Sequence, residues 1–379
     1  CNRQDSFMSS EKLWDRVPTE GSSVPTEVSE MSQRSAALIG CAMIALSLLF
    51  VACLFDDGGG TGPEPDPIPE GILEYRLSGD GTVTVSGYSS DRIAGGSVSI
   101  PSTVSIDGGT YVVSAIGDLA FFDVDADTVH IPDTVVRIGD AAFYQSGIVS
   151  AIVPDSVKVL GTNVFAGCGS LVSVIFEGGV ESIGDSAFFG CSSLETLVLP
   201  EGGRYSNLEG LVASDDGTLI AVMPSVTGQV RLDGISSIGG HAFSTSGADA
   251  VFISADVVDI TSTAFNSSSV SRIDVDEGNP VYCSVDGVLY DREGDTLLRC
   301  PPGMEGVFEV PSAVTSLGSS SFAGCTGLTG ISIGSSVEVH AQAFTGIGFY
   351  ETVESEEPIP YWEISGHTYQ RIGDRMVRV

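Results

Sequence analysis

The stretch Val180-Glu181-Ser182-Ile183-Gly184-Asp185-Ser186-Ala187-Phe188 decides how the chain folds, because its closing Ile-Gly-x-x-Ala-Phe returns, more or less altered, along the sequence. The phenylalanines that close these segments are Phe121, Phe143, Phe165, Phe188, Phe243, Phe265, Phe322 and Phe344. The steps between them are 22, 22, 23, 55, 22, 57 and 22 residues. A fixed period of this length marks a solenoid, in which one coil cannot bury its own apolar face and must stack on its neighbours. The phenylalanines are therefore the expected repeat core.

Each unit also carries a short strand, as in Val129-His130-Ile131-Pro132, Ala151-Ile152-Val153-Pro154, Val174-Ile175-Phe176 and Leu197-Val198-Leu199-Pro200. Alternate strand residues face opposite sides, so the outer two of each triplet fill the core and the middle one faces out. The repeat glycine permits either positive φ or close packing of neighbouring backbones, and proline ends a strand where its missing N–H costs least.

The two long steps hold excursions, Tyr205 to Pro224 and Tyr282 to Pro301, that run as strand, glycine, strand, acidic turn, strand. They read as β-hairpins pushed out of one edge of the solenoid. The expected fold is thus a β-rich solenoid of about ten coils from Ile100 to Phe344, with two inserted β-hairpins and β-rich caps. Residues 72–115 form the N-terminal cap, with a hairpin signal at Asp107-Gly108-Gly109; residues 116–348 form the repeats and 349–379 a C-terminal cap.

Ahead of the array, residues 1–34 are polar and read as a disordered tail, with Met31 as an alternative start. Residues 35–55 carry no charge over 21 positions. As a helix that stretch would reach about 31 Å, one hydrocarbon thickness. Arg34 before it and Asp56 and Asp57 after it put the amino end in the cytoplasm and the repeats outside. Val51-Ala52-Cys53 alternatively resembles a lipoprotein signal end, with Cys53 the lipidated residue. Residues 56–71, rich in Gly and Pro, read as a linker. The expected location is the cell membrane, single-pass or lipid-anchored, with the repeats extracellular.

Charge narrows the partners. The chain of 379 residues has 50 acidic against 16 basic residues, a net charge of -34. Such a surface repels phosphate backbones, so nucleic acid is not expected as a partner. The 42% apolar content and 47 glycines set it apart from a disordered acidic tail.

The unit Ile-x-Ile-Pro-x-x-Val-x-x-Ile-Gly-x-x-Ala-Phe-x-x-Cys-x-x-Leu, clearest from Phe176 through Cys191 to Leu194, resembles the BspA-like class of leucine-rich repeats. The resemblance covers roughly residues 95–345 and includes the interposed hairpins. It implies a right-handed leucine-rich-repeat array on a microbial cell surface, of the kind associated with adhesion, and supplies no catalytic residue. Thr261 stands where the sixth unit expects glycine, and Val339-His340 where the last expects Ile-Gly. Less regular coils are expected at both.

Candidate chemistry is sparse. Cys168, Cys191 and Cys325 each follow a repeat phenylalanine by three and read as small core residues. Cys283 and Cys300, on the two arms of the second excursion, are a candidate disulfide in an exported protein. The histidines match no metal or triad spacing, and Asp123-Val124-Asp125-Ala126-Asp127 alternates acids like a calcium loop without that loop's glycine and glutamate. No cofactor, metal or catalytic site is expected, and the acids fall in turns rather than as a glycosidase pair. The outward strand positions are less bland: Ile152, Ile175, Val198 and Phe252 form an apolar stripe and a candidate binding face, unless a hairpin covers it or strand propensity alone chose them. The expected function is non-enzymatic adhesion or binding of an extracellular protein or glycan; the alternative is an envelope component acting through self-association.

Overall fold

Each coil contributes two strands, a long one from the outward triplet and a two-residue one at the Ile-Gly step. In the computed structural model the described residues are 73–89, 96–334 and 336–347, with the backbone strands Tyr361–Ile364, His367–Ile372 and Arg375–Arg378 beyond them. Every element among them is a strand. Residues 35–55, Cys53 and the linker 56–71 lie outside the described residues, as does the candidate start at Met31. Among the described residues no helix is long and apolar enough to cross a membrane.

The long strands stack in parallel. Ser97–Ser99, Thr128–His130, Ser150–Val153, Ser173–Phe176 and Thr196–Val198 make one sheet. Thr227–Arg231, Gly247–Ile253 and Arg272–Val275 make a second; Gly306–Glu309 and Leu328–Ser332 begin a third. Ten coils result, and the architecture is the expected β-solenoid. The two-residue strands, such as Arg137–Ile138, Val159–Leu160 and Ser182–Ile183, pair in parallel along the other side of the core.

Between the two sides the repeat phenylalanines form a column. Phe121, Phe143 and Phe165 stack at centroid distances of 5.3 and 5.4 Å, and Phe188 follows at 6.0 Å. All eight repeat phenylalanines are buried. The glycine of Ile-Gly is needed for proximity, since a Cβ on Gly184 would lie 2.4 Å from the Thr162 nitrogen of the preceding coil. Positive φ falls instead on the residue two positions later: Ala141 (52°), Asn163 (56°), Ser186 (57°), His241 (57°) and Ser320 (59°). The coils holding Thr261 and His340 lack that left-handed residue, which is how their departure from the repeat shows in the backbone. Cys168 and Cys191 are buried, and their thiols donate to the Phe143 and Phe165 carbonyls of the preceding coil at 3.0 and 3.1 Å.

The excursions differ from expectation. Rather than hairpins pushed out of the solenoid, they are three-stranded meanders built into the stack. The last strand of each, Thr218–Val222 or Thr296–Arg299, occupies a short-strand position and pairs in parallel with the next coil, Leu219 beside Ile238 and Leu297 beside Leu317. Val222 and Cys300 stand in the phenylalanine slot: their N–H groups donate to Ala242 and Ser321 at 2.7 Å, as Phe165 N does to Ala187 at 2.9 Å. The other two strands turn back across open sheet edges. Asn207 Nδ2 donates to the Leu197 carbonyl at 3.0 Å, while Gly287 O accepts from Ile273 N at 2.8 Å and Ser284 Oγ from Val275 N at 2.9 Å. Edge groups left unpaired would cost free energy and invite aggregation, and this explains the inward position. The apolar core accordingly runs in three stretches, from Val83 to Met223, Leu219 to Leu289 and Cys283 to Ile347, that overlap at the excursions.

The N-terminal cap continues the array as well as covering it. Thr82–Tyr88 pairs in parallel with Gly109–Ile116, and the Tyr88 ring stacks on Phe121 at 6.1 Å. Its hairpin turns at Asp107 (φ 50°) and Gly108 (φ 81°), where the sequence placed it. At the other end three antiparallel strands join the long sheet through Arg375 beside Ser332.

Candidate binding surface

The first long sheet brings together three of the four stripe residues. Ile175 sits in register between Ile152 and Val198, one strand spacing from each. All three are half-buried, because each aliphatic side chain packs against the next at about 4.8 Å. Phe252 belongs to the second sheet, in register with Arg231 and Asp274. The Arg231 guanidinium lies 4.1 Å from its ring centroid, so a cation rather than an apolar neighbour covers it. The expected continuous stripe is therefore two separate features.

Alternation also sets a second column beside the aliphatic one. Ser97, Thr128, Ser150, Ser173 and Thr196 are in register across the five strands, and Thr128 Oγ1 donates to Ser97 Oγ at 3.0 Å. Nothing in the sequence singles this column out, because it stands two residues before the outward middle position of each triplet and holds only small polar side chains. With Ser99 and His130, the outward positions of this sheet contain no Asp, Glu, Lys or Arg. The corresponding positions of the later long strands include Arg231, Arg272, Asp274 and Glu309. Acid returns at the borders of the first sheet, with Asp127, Glu177 and Glu195 exposed.

Elsewhere the candidate residues have structural roles. Cys283 is on the first strand of the second meander and Cys300 directly follows its last strand, Thr296–Arg299, with Val288–Asp291 between the two. Two strand spacings exceed the reach of a disulfide, and the two residues are not bonded to each other. The Cys283 thiol donates to Asp291 O at 3.1 Å, and Cys300 Sγ lies 3.6 Å from Met304 Sδ. Burial pushes the Cys168 and Cys191 thiols up, which keeps them protonated and unreactive. His241 bridges two coils across the first excursion: its Nδ1 is 2.9 Å from Ser186 Oγ and its ring 4.5 Å from that of Phe189. Burial, then the Arg299 charge, lowers its pKa below the ordinary histidine value. Asp127 Oδ2 accepts from Gly96 N at 3.1 Å, a turn contact. Among the described residues no three His, Cys, Asp or Glu side chains are grouped to hold a metal.

Three stretches of the chain, residues 100–207, 227–282 and 306–363, match the family model described as BspA type leucine rich repeat region, in six copies. No curated protein matches the chain. Among solved structures, a leucine-rich cell surface protein from Faecalibacterium prausnitzii is 22% identical over 73% of this chain and 73% of that one, with a TM-score of 0.37. A leucine-rich repeat protein from Eubacterium ventriosum is 18% identical over 71% of this chain and 59% of that one, at 0.32. The pneumococcal vaccine antigen PcpA is 16% identical over 74% and 68%, at 0.33.

Proposed function

Because this chain belongs to the BspA-type leucine-rich repeat family, we propose that it is a non-enzymatic surface protein that binds an extracellular protein or glycan through the first long sheet. The membrane tether belongs to the same reading: the uncharged residues 35–55, or lipidation at Cys53, would hold the repeats outside the cell. One observation carries the binding role. In a chain with 50 acidic residues, the outward positions of this sheet are free of charge and hold three aliphatic side chains in register. A surface covered by a partner excludes carboxylates because a buried unpaired charge is costly, and strand preference alone did not keep Asp274 and Glu309 from the same positions of later long strands.

The test is a panel of immobilised matrix proteins and glycans probed with the purified repeat protein, beside sedimentation of the protein alone. Saturable capture by a panel member from a monomeric protein supports the reading. Self-association without capture would overturn it in favour of an envelope component built from copies of itself.

A further inference from the structure

We propose that the first long sheet binds an uncharged, linear glycan laid across its strands, along the hydroxyl column from Ser97 to Thr196 and the aliphatic column from Ile152 to Val198. This deepens the binding reading above and rests on it.

Repetition is the first reason. Each of the last three strands of this sheet offers the same pair, a hydroxyl and, two residues on, an aliphatic group: Ser150 with Ile152, Ser173 with Ile175, Thr196 with Val198. The pairs recur at about 4.8 Å from strand to strand. A partner that uses such an array is itself a chain of equal units with a similar rise. A neutral pyranose chain fits in chemistry, with an apolar C–H face for the aliphatic column and hydroxyls that both donate and accept for the serines and threonines.

Charge is the second reason. The face has no cation for an anionic glycan, and the bordering Asp127, Glu177 and Glu195 would repel one. It equally has no carboxylate for a basic peptide.

Ser173 is the third. It lies in the middle of the three hydroxyl–aliphatic pairs, is 6% exposed, and no hydrogen bond joins its hydroxyl to another described residue. Strand alternation aims this hydroxyl to the side of Ile175, away from the core residue Val174, where it is still reachable from solvent. A sugar hydroxyl would take the place of water as its partner.

Titration calorimetry of the full chain with cellohexaose, maltohexaose and mannohexaose, and with a heparin hexasaccharide as the charged comparison, tests this. At least one neutral hexaose is expected to bind saturably, and tighter than the disaccharide of its own linkage. The Ser173→Ala, Thr196→Val double variant is expected to weaken it about tenfold, the loss of one or two hydrogen bonds. Circular dichroism and melting should be unchanged; Ser150→Ala serves as a second variant if that one folds poorly. Absence of binding by all three neutral hexaoses, equal binding of heparin, or indifference to both hydroxyl variants would overturn the proposal. If the hexaoses fail while a protein is captured through Ile175, the glycan falls and the binding surface stands.

Discussion

At the scale of single residues, the side chains that repeat and the side chains that face outward answer to different constraints. Phe165 is fully buried, with Phe143 on one side and Phe188 on the other. Phe165→Ala is expected to lower stability by about 3–5 kcal/mol in urea unfolding, because a cavity opens in the middle of the stack. Gly184→Ala is expected to cost about 3 kcal/mol or more, since the added methyl meets the backbone of the preceding coil at 2.4 Å rather than a movable side chain. His241 carries a pH dependence. Its folded pKa is depressed by burial and by Arg299, so as pH falls through the ordinary histidine range the unfolded chain takes up a proton that the folded one does not. Stability is therefore lost on the acid side of that range, and the loss between pH 7.5 and 5.5 should be smaller in His241→Asn, measured by urea midpoint at each pH. The phenylalanines and strand triplets were legible in the sequence because they recur at fixed spacing. The left-handed residues were not: Asn163, Ser186 and His241 share a backbone conformation but no side-chain chemistry.

At the scale of elements, the excursions were legible as insertions but not in their placement. Their strand-turn-strand pattern is local, with turns at Glu209-Gly210 and Asp286-Gly287 as glycine predicts. Where they dock depends on groups far along the chain that lack a partner, such as the Leu197 carbonyl and the Ile273 and Val275 amides. For the same reason the candidate disulfide failed: Tyr290, on the strand between Cys283 and Cys300, is visible only once the register is known. That Phe252 is on a different sheet from Ile152, Ile175 and Val198, with Arg231, 21 positions away in sequence, over its ring, is likewise visible only in space. Asn207→Ala removes the amide that caps the Leu197 carbonyl. It is expected to cost roughly 1–2 kcal/mol and to speed hydrogen exchange in residues 196–198 more than in 150–153.

At the scale of the whole molecule, the solenoid is three overlapping core stretches joined by two meanders, with a different outward face on each. Repeat stability is carried by neighbour contacts, so damage to the phenylalanine column should spread along its own stretch and leave the surface chemistry alone. The outward face is the reverse case, since Ile175 is half-buried among aliphatic neighbours and faces away from the column. Ile175→Asp is expected to lower stability by about 1–2 kcal/mol, from strand preference and lost contact with Ile152 and Val198, well short of the loss for Phe165→Ala.

Melting and ligand capture measured on the same samples of Ile175→Asp and Phe165→Ala separate the two roles. The expected result is that Ile175→Asp melts much closer to the unmodified protein than Phe165→Ala does and captures nothing from the ligand panel, while Phe165→Ala melts lower and still captures when folded. An Ile175→Asp protein that binds as well as the unmodified one, or that melts as low as Phe165→Ala, would contradict the assignment of binding to this face.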